Sequence, residues 1–518
     1  MDDEIKQKMQ RNNIDIELTE TILKNINEGR YDRFKPVKAA AFPGTDEPEI
    51  VDFSKNPSLS LPLEQADGKI SHIAPDISVK SIGKIDGDTI TFDHSALTAL
   101  GTLLYPYTSY GVLNGGSATS YADTKKNKSF DEDLFSLYSD IFEKTADISR
   151  GRAKGITPAF INPDGSFGPS FLELKMRALL IEAVRYQTLT GKRERSDSLC
   201  PMFQMTSVNN NEEIESTYLS YRESPFLAPL IETSGIDVTR TETGVQPLIA
   251  AFTHSEKGRP KRIFQDAQGN PLPLPGGHGQ NFSVLESVYR KLREQGKRFV
   301  YLGNVDNLGF TPDPAGIAYL ALTGKQAAFD FTFKTAVDVK GGILVRDDEG
   351  NLTCADIGPA VDKAEIQRAV DSGTDILFNA ATGLFDLDYL VNHLEEIQEN
   401  LPVRVTDQDK DKGKYSQAEQ VTWEVLGVLD DFLVYGQNKY DRFMAAKMLV
   451  ETLMTSGIEL ENPAFPSSEN PAEDLKGLAG KLHRGLQKKL RTIYGLKLEN
   501  GKWIPKTTEE ITAEFSLR

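Results

Sequence analysis

Cysteine and histidine are scarce in this chain: two and six residues respectively among 518. Cys200 and Cys354 stand far apart, each among strand-like residues, with no CxxC pair and no histidine nearby. A disulfide framework and a structural zinc site are therefore not expected, and both read as buried thiols. Basic charge is also in deficit. Fifty-nine Lys and Arg against 76 Asp and Glu leave a net charge of −17, the wrong sign for a protein that tracks a nucleic-acid backbone. A small phosphorylated ligand is still allowed, because a few buried cations can hold it within an acidic protein. No run of about 18 apolar residues occurs, so no membrane span is expected. The opening MDDEIKQKMQ lacks the apolar stretch of a signal peptide, which gives a cytoplasmic reading. Several catalytic signatures are missing too: G-x-S-x-G, H-E-x-x-H, a complete Walker A sequence and G-x-G-x-x-G. What remains for chemistry is glycine-rich loops, acids and lysines.

The length exceeds one ordinary core, and the 39% hydrophobic content is that of a folded chain, so two or three domains are expected. Residues 1–95 read as an N-terminal arm or cap. It holds a helical stretch from about Ile14 to Glu28, an extended proline-rich wrap (Pro36, Pro43, Pro48, Pro57, Pro62) and a hairpin signal at Asp86-Gly87. Residues 96–460 alternate short apolar strands (110–114, 201–207, 298–306, 327–335, 375–379) with amphipathic helices (172–187, 282–296). That alternation predicts an α/β domain with a mixed, mainly parallel sheet, which binds ligands in the loops beyond its strands' carboxyl ends. Residues 341–358 read as an antiparallel hairpin turned by Asp348-Glu349-Gly350-Asn351. Residues 461–518 read as a helical section with basic patches, packed on the domain by one face.

Five segments of the middle region could carry chemistry. In YGVLNGGSATS a strand runs into Leu113, Asn114, Gly115 and Gly116, where main-chain N–H groups could approach a phosphate or base, although a simple turn reads the same way. In FVYLGNVDNLG a strand delivers Asn304 and Asp306 to its carboxyl end, where an aspartate can hold Mg²⁺ against phosphate oxygens or merely cap a helix. PLPLPGGHGQNF surrounds His278 with glycines. VDVKGGILV sets Lys340 before two glycines, and KYDRFMAAKMLVETL sets Arg442 and Lys447 near a helix start.

Taken in order, LNGG, the glycine–histidine loop, NVDNLG, DVKGG and RFMAAK closely resemble the UTP–glucose-1-phosphate uridylyltransferase family, which is related to UDP-N-acetylglucosamine pyrophosphorylase. The resemblance covers roughly residues 105–455 and implies a Rossmann-like nucleotidyltransferase core. It further implies UTP and a sugar 1-phosphate, glucose 1-phosphate foremost, as substrates and Mg²⁺ as cofactor, with no nucleic-acid or membrane partner. A UDP-N-acetylglucosamine or broad UDP-sugar pyrophosphorylase is the alternative within enzymes; a non-catalytic nucleotide-sugar-binding protein is the alternative outside them. By resemblance, Leu113, Asn114, Gly115, Gly116, Gln246, Gly277 and His278 would bind the nucleotide. Asn304, Lys340, Asp356, Asn379 and Thr382 would face the sugar phosphate. Asp306 would hold the metal, and Lys447 would reach the phosphates. The family's loop lysine has two candidates here. Ungapped counting leads to Lys126 or Lys128, whereas context leads to Lys154 in RAKGITPAF, the preferred reading. About residues 120–150 then form an insertion that could cover the site mouth. Ser117-Ala118-Thr119-Ser120 departs from the family's L-G-T loop, no proline precedes Lys447, and no C-terminal β-helix pattern is seen. A sugar 1-phosphate has a second pKa of about 6, so its attack on the α-phosphorus needs no general base.

Overall fold

The structure, a computed structural model, describes residues 2–192, 202–335, 338, 340–410, 412–470 and 473–516. Cys200, Pro201, Val337 and Val339, which the motif reading touches, lie outside the described residues. Among the described residues eleven strands form one large sheet. In chain order they are β1 (Ala39–Ala41), β2 (Ile50–Asp52), β3 (Thr108–Leu113), β4 (Met202–Ser207), β5 (Glu242–Gln246), β6 (Phe299–Asn304), β7 (Ala327–Phe333), β8 (Gly342–Asp347), β9 (Leu352–Asp356), β10 (Leu377–Asp386) and β11 (Phe432–Gln437). Their spatial order is β2-β11-β7-β10-β6-β3-β4-β5, with β9 beside β8, and β8 held by β1 and β10.

Every pair along that row is parallel except those made by β10, which runs antiparallel to both β6 and β7. The carboxyl ends of β3, β4, β5, β6, β7 and β11 therefore share one edge. The two-residue period of the strands feeds two cores. Tyr110, Val112, Met202 and Tyr301 enter one, while Leu113, Phe203, Met205, Val300 and Leu302 enter the other. Burial on both faces explains the nearly unbroken apolar runs.

Five helices frame or support the shared carboxyl edge: α1 (Ile16–Asn27), α2 (Glu132–Ser149), α3 (Phe171–Thr190), α4 (Leu449–Ser456) and α5 (Leu475–Thr492). The N-terminal segment wraps as its prolines suggest, adding β1 to the β8–β9 hairpin and β2 to the sheet edge. α3 opens with a Ser170–Glu173 capping box. It is buried almost all round rather than on one face, because the helices at Ala228–Ser234 and His94–Leu103 pack on it together with the C-terminal section. That section holds more than helix: a hairpin pairs Leu496–Glu499 with Lys502–Pro505, and a further helix spans Thr508–Ser516. α2, from the insertion, packs on α4 through Leu134, Tyr138, Phe142 and Ala146. Among the described helices none is long and apolar enough to cross a membrane.

Candidate functional site

At the shared carboxyl edge, β3 runs into Asn114, which is fully buried with its N–H on Met205 O at 2.8 Å. The Asn210 side chain holds the Gly115 carbonyl at 3.2 Å. β6 ends at Asn304 and delivers Asp306 two residues later. The helix-capping alternative for Asp306 fails, because the next helix begins at Pro314 and is capped by Asp313, whose Oδ1 accepts from Gly316 N at 3.2 Å. Asp306 meets Lys154 instead. The Lys154 main-chain N–H donates to Gly116 O at 3.0 Å, and its ammonium reaches Asp306 Oδ2 at 2.5 Å and the Ala446 carbonyl. The Tyr121 ring lies 4.8 Å from Nζ, and the lysine and aspartate side chains are only 11% and 16% exposed. Lys126, by contrast, is exposed and bonds Ser120 Oγ and Lys447 O. Lys128 faces Glu132 at 3.9 Å.

Gln246, at the end of β5, is buried and gives both amide protons away: Nε2 donates to Gly277 O at 2.7 Å and to Gln280 Oε1 at 2.9 Å. Its remaining polar atom, Oε1, is an acceptor and lies beside Gly115. Gly277 has φ +83°, and a Cβ there would stand 2.3 Å from Gln420 O, so only glycine suits this turn. Next to it, His278 is half-buried, with Nδ1 against Thr422. Burial first and the Lys447 charge second lower its pKa to about 4.

The 439–447 segment is built on buried ion pairs. Arg442 donates to Asp330 Oδ2 through Nε at 2.9 Å and Nη2 at 2.5 Å, and to Thr311 O at 2.9 Å. Lys439 pairs with Asp338, the aspartate of the D-V-K motif. Asn307 ties this segment to the Asp306 loop: its Nδ2 donates to Arg442 O at 3.0 Å and its Oδ1 accepts from Met444 N at 2.9 Å. Buried Lys175 of α3 supports the same loop through the Asn307 and Phe310 carbonyls, and burial holds its pKa well below the ordinary range. A Cβ on Gly309 would meet Arg442 C at 2.3 Å. This packing leaves Lys447 exposed at the start of α4.

The residues expected toward the sugar lie beside the β8–β10 region. Lys340 and Asp356 are exposed, and Asp356 pairs in register with Gly342. Asn379 Nδ2 contacts Cys354 Sγ at 3.6 Å; that cysteine is half-buried and burial pushes its thiol up to about 12. The β7–β10 register shifts here, so Asn379 pairs Phe331 while Thr382 pairs Asp330, and Ala380-Ala381 form the bulge, with Ala381 at φ +50°. Thr382 is buried within the sheet, its hydroxyl donating to Ala380 O at 3.4 Å.

Contacts run from Gly116 to Lys154, from Lys154 to Asp306 and Ala446, and from Gly277 through Gln246 back to Gly115, and the Lys447 charge, felt at His278, completes the ring. Lys175, Gln280, Asn307 and Thr422 support this ring without having been selected from sequence. Lys175 has a visible signal, a charge inside the apolar run LELKMRALL; Thr422 and Gln280 have none. Among the described residues no three of His, Cys, Asp and Glu cluster as a metal cage. A metal here would rest on one carboxylate and on oxygens supplied by a ligand, which is how Mg²⁺ is commonly held with phosphates.

Residues 254–458 match the family model described as UTP–glucose-1-phosphate uridylyltransferase. The enzyme of that name from Saccharomyces cerevisiae is 37% identical over 189 residues, 34% of this chain and 31% of the yeast protein. That from Musa acuminata is 24% identical over 247 residues, 44% of this chain and 52% of the plant protein. The matched stretches thus span about half or less of these relatives' own length. Among solved structures, the UDP-glucose pyrophosphorylase of Leishmania major superposes with a TM-score of 0.52 at 17% identity, over 86% of this chain and 77% of that one. The resemblance carried by the motifs is therefore borne out, and the mixed, mainly parallel α/β fold is the one it implied.

Proposed function

We propose that this chain, which carries a domain of the UTP–glucose-1-phosphate uridylyltransferase family across residues 254–458, transfers the uridylyl group of UTP to glucose 1-phosphate and releases pyrophosphate. The observation that carries this reading is the Lys154–Asp306 pair, set between the Gly115-Gly116 loop and Lys447. Both substrates are polyanions, so the enzyme's task is to gather and align them while offsetting their charge. Main-chain N–H groups at Gly115 and Gly116 suit the nucleotide. Lys154 has two of its three N–H bonds engaged by Asp306 and Ala446, leaving one for a phosphate oxygen. Lys447 brings a second cation.

Gln246 supplies the base preference. With both its protons held by Gly277 and Gln280, it offers an acceptor to the N3–H of uracil, which cytosine lacks. Asp306 would hold Mg²⁺, which when bound would neutralise charge shared by the phosphate groups. Lys340, Asp356 and Asn379 are assigned to the sugar phosphate, and Asn304 to the same side.

A pyrophosphate-release assay over a panel of nucleoside triphosphates and sugar 1-phosphates tests the proposal. UTP with glucose 1-phosphate and Mg²⁺ is expected to give the highest turnover. Absence of release with every sugar 1-phosphate would end the transferase reading in favour of nucleotide-sugar binding. Preference for N-acetylglucosamine 1-phosphate would move the assignment to the related pyrophosphorylase, and equal use of CTP would remove Gln246 from base recognition.

A further inference from the structure

His278 is held by more than its glycine loop. The main-chain N–H of Thr422 donates to its Nδ1 at 3.1 Å, and the Thr422 hydroxyl lies 2.8 Å from the same nitrogen and 2.9 Å from the His278 carbonyl. Asn281 then donates through Nδ2 to Thr422 Oγ1 and to the His278 carbonyl, both at 2.9 Å. Buried Tyr289 donates its phenol proton to Asn281 Oδ1 at 2.9 Å, which orients that amide. A main-chain N–H can only donate, so Nδ1 must offer its lone pair. The Thr422 hydroxyl has one proton, and whether it serves Nδ1 or the carbonyl, Nδ1 stays bare. A neutral imidazole with a bare Nδ1 carries its proton on Nε2.

We infer that Thr422, Asn281 and Tyr289 form a positioning relay that fixes His278 as the neutral tautomer protonated at Nε2. His278 then acts as an uncharged hydrogen-bond donor to a substrate oxygen and not as a proton-transfer group. The donor role rests on the proposed transferase reading; the tautomer does not. Protonation at Nδ1 would break the Thr422 bond and add a cation within reach of the Lys447 charge. Burial and the Lys447 charge oppose that protonation in the same direction as the hydrogen bonds. The other groups against the ring, Thr422, Asn281 and the Trp423 indole at 6.1 Å, are uncharged. Glu424 on the same turn is taken up by Arg404 at 2.8 Å. A donor that needs no titration keeps its strength wherever the sugar phosphate is dianionic, which suits a reaction without a general base.

Long-range ¹H–¹⁵N spectra of the free protein labelled at histidine test the inference, with His278 assigned by its loss in His278→Gln. Among six histidines, His278 is expected to be protonated at Nε2 alone and not to titrate between pH 8 and pH 5. In Thr422→Val the main-chain N–H still reaches Nδ1, but the hydroxyl that links it to Asn281 and Tyr289 is gone, and the midpoint is expected to rise by at least about one pH unit. kcat/KM should then gain an acid limb, and Thr422→Ser should remove it. A proton on Nδ1, or a midpoint between 6 and 7 in the unaltered protein, would overturn the tautomer. An unaltered midpoint and pH profile in Thr422→Val would overturn the relay. An inactive protein with the expected spectrum would instead sink the transferase reading.

Discussion

Replacing Lys154 by methionine removes the ammonium but keeps a chain of similar length over the Tyr121 ring, so it separates charge from packing. Two interactions are lost. Asp306 loses its cation at 2.5 Å, and the Ala446 carbonyl loses its donor. A hydrogen bond to a charged group contributes about 1.5–3 kcal/mol, and stranding a fully buried charge costs about 3–5 kcal/mol. Because the pair keeps 11% and 16% of its side-chain exposure, water can partly solvate the abandoned carboxylate, and a stability loss of about 2–3 kcal/mol is expected. Turnover should fall further. One pre-organised donor on a developing phosphate charge is worth about 100- to 1,000-fold, or ~3–4 kcal/mol. Lys126→Met provides the control, because its ammonium is exposed and bonds only Ser120 and a main-chain carbonyl among the described partners. It should change turnover by less than about threefold, under ~0.7 kcal/mol. Pyrophosphate release at saturating substrates, measured well below each variant's melting point, reads the two effects apart. If Lys126→Met lost activity while Lys154→Met kept it, the loop after Gly116 would itself bend over the triphosphate. Lys154 would then be a structural tie between Asp306 and α4.

What could be read from sequence reflects the local physics. Strands buried on both faces announce themselves as apolar runs, and the residue at a parallel strand's carboxyl end is a sound place to look for chemistry, which is why Asp306 and the LNGG loop stand out. The direction of β10 was not legible, because an apolar run such as DILFN buries equally well in either orientation. Nor were the partners that build the site: Arg442 and Asp330 are 112 residues apart, and Thr422 and His278 are 144 apart. No local pattern links them; only the folded sheet does. The C-terminal hairpin is a different case. Asn500-Gly501, at φ +50° and +78°, is the two-residue turn signal that hairpins favour, yet a helical reading extended from the basic stretch passes over it. α3 departs from its amphipathic reading, because Lys175 and Arg177 are both buried. Both cations serve main-chain carbonyls, those of Asn307 and Phe310 for the lysine and those of Tyr494, Gly495 and Phe226 for the arginine.

Asp306→Asn keeps volume and hydrogen bonding, so it should leave the melting temperature within a few degrees while cutting turnover at least about tenfold, ~1.4 kcal/mol. Normal activity with unchanged Mg²⁺ dependence would remove Asp306 from the metal role. Breaking the Arg442–Asp330 pair from one side, by Arg442→Met or Asp330→Leu, should cost about 3–5 kcal/mol in urea unfolding, whereas the double variant should recover part of it; additive losses would refute the coupling. The final test concerns Lys489, which α5 buries beside Arg442 with 6% exposure. Burial first, then the Arg442 charge, lowers its pKa to about 7 from 10.5. Below pH 7 the amine is charged both folded and unfolded, and the cost of burying that charge is felt in full. Between pH 7 and 10.5 the unfolded chain holds the proton that the folded chain has released, so stability rises with pH and the cost fades. Lys489→Met has no charge to bury. It should therefore stabilise the protein most at neutral pH and below, by at most about 5 kcal/mol, and progressively less toward pH 10. Urea unfolding at pH 7 and pH 9.5 reads the difference. An equal gain at both values would mean that packing, not charge burial, governs this position, and a loss at pH 7 would mean that the ammonium stabilises the Arg442 segment.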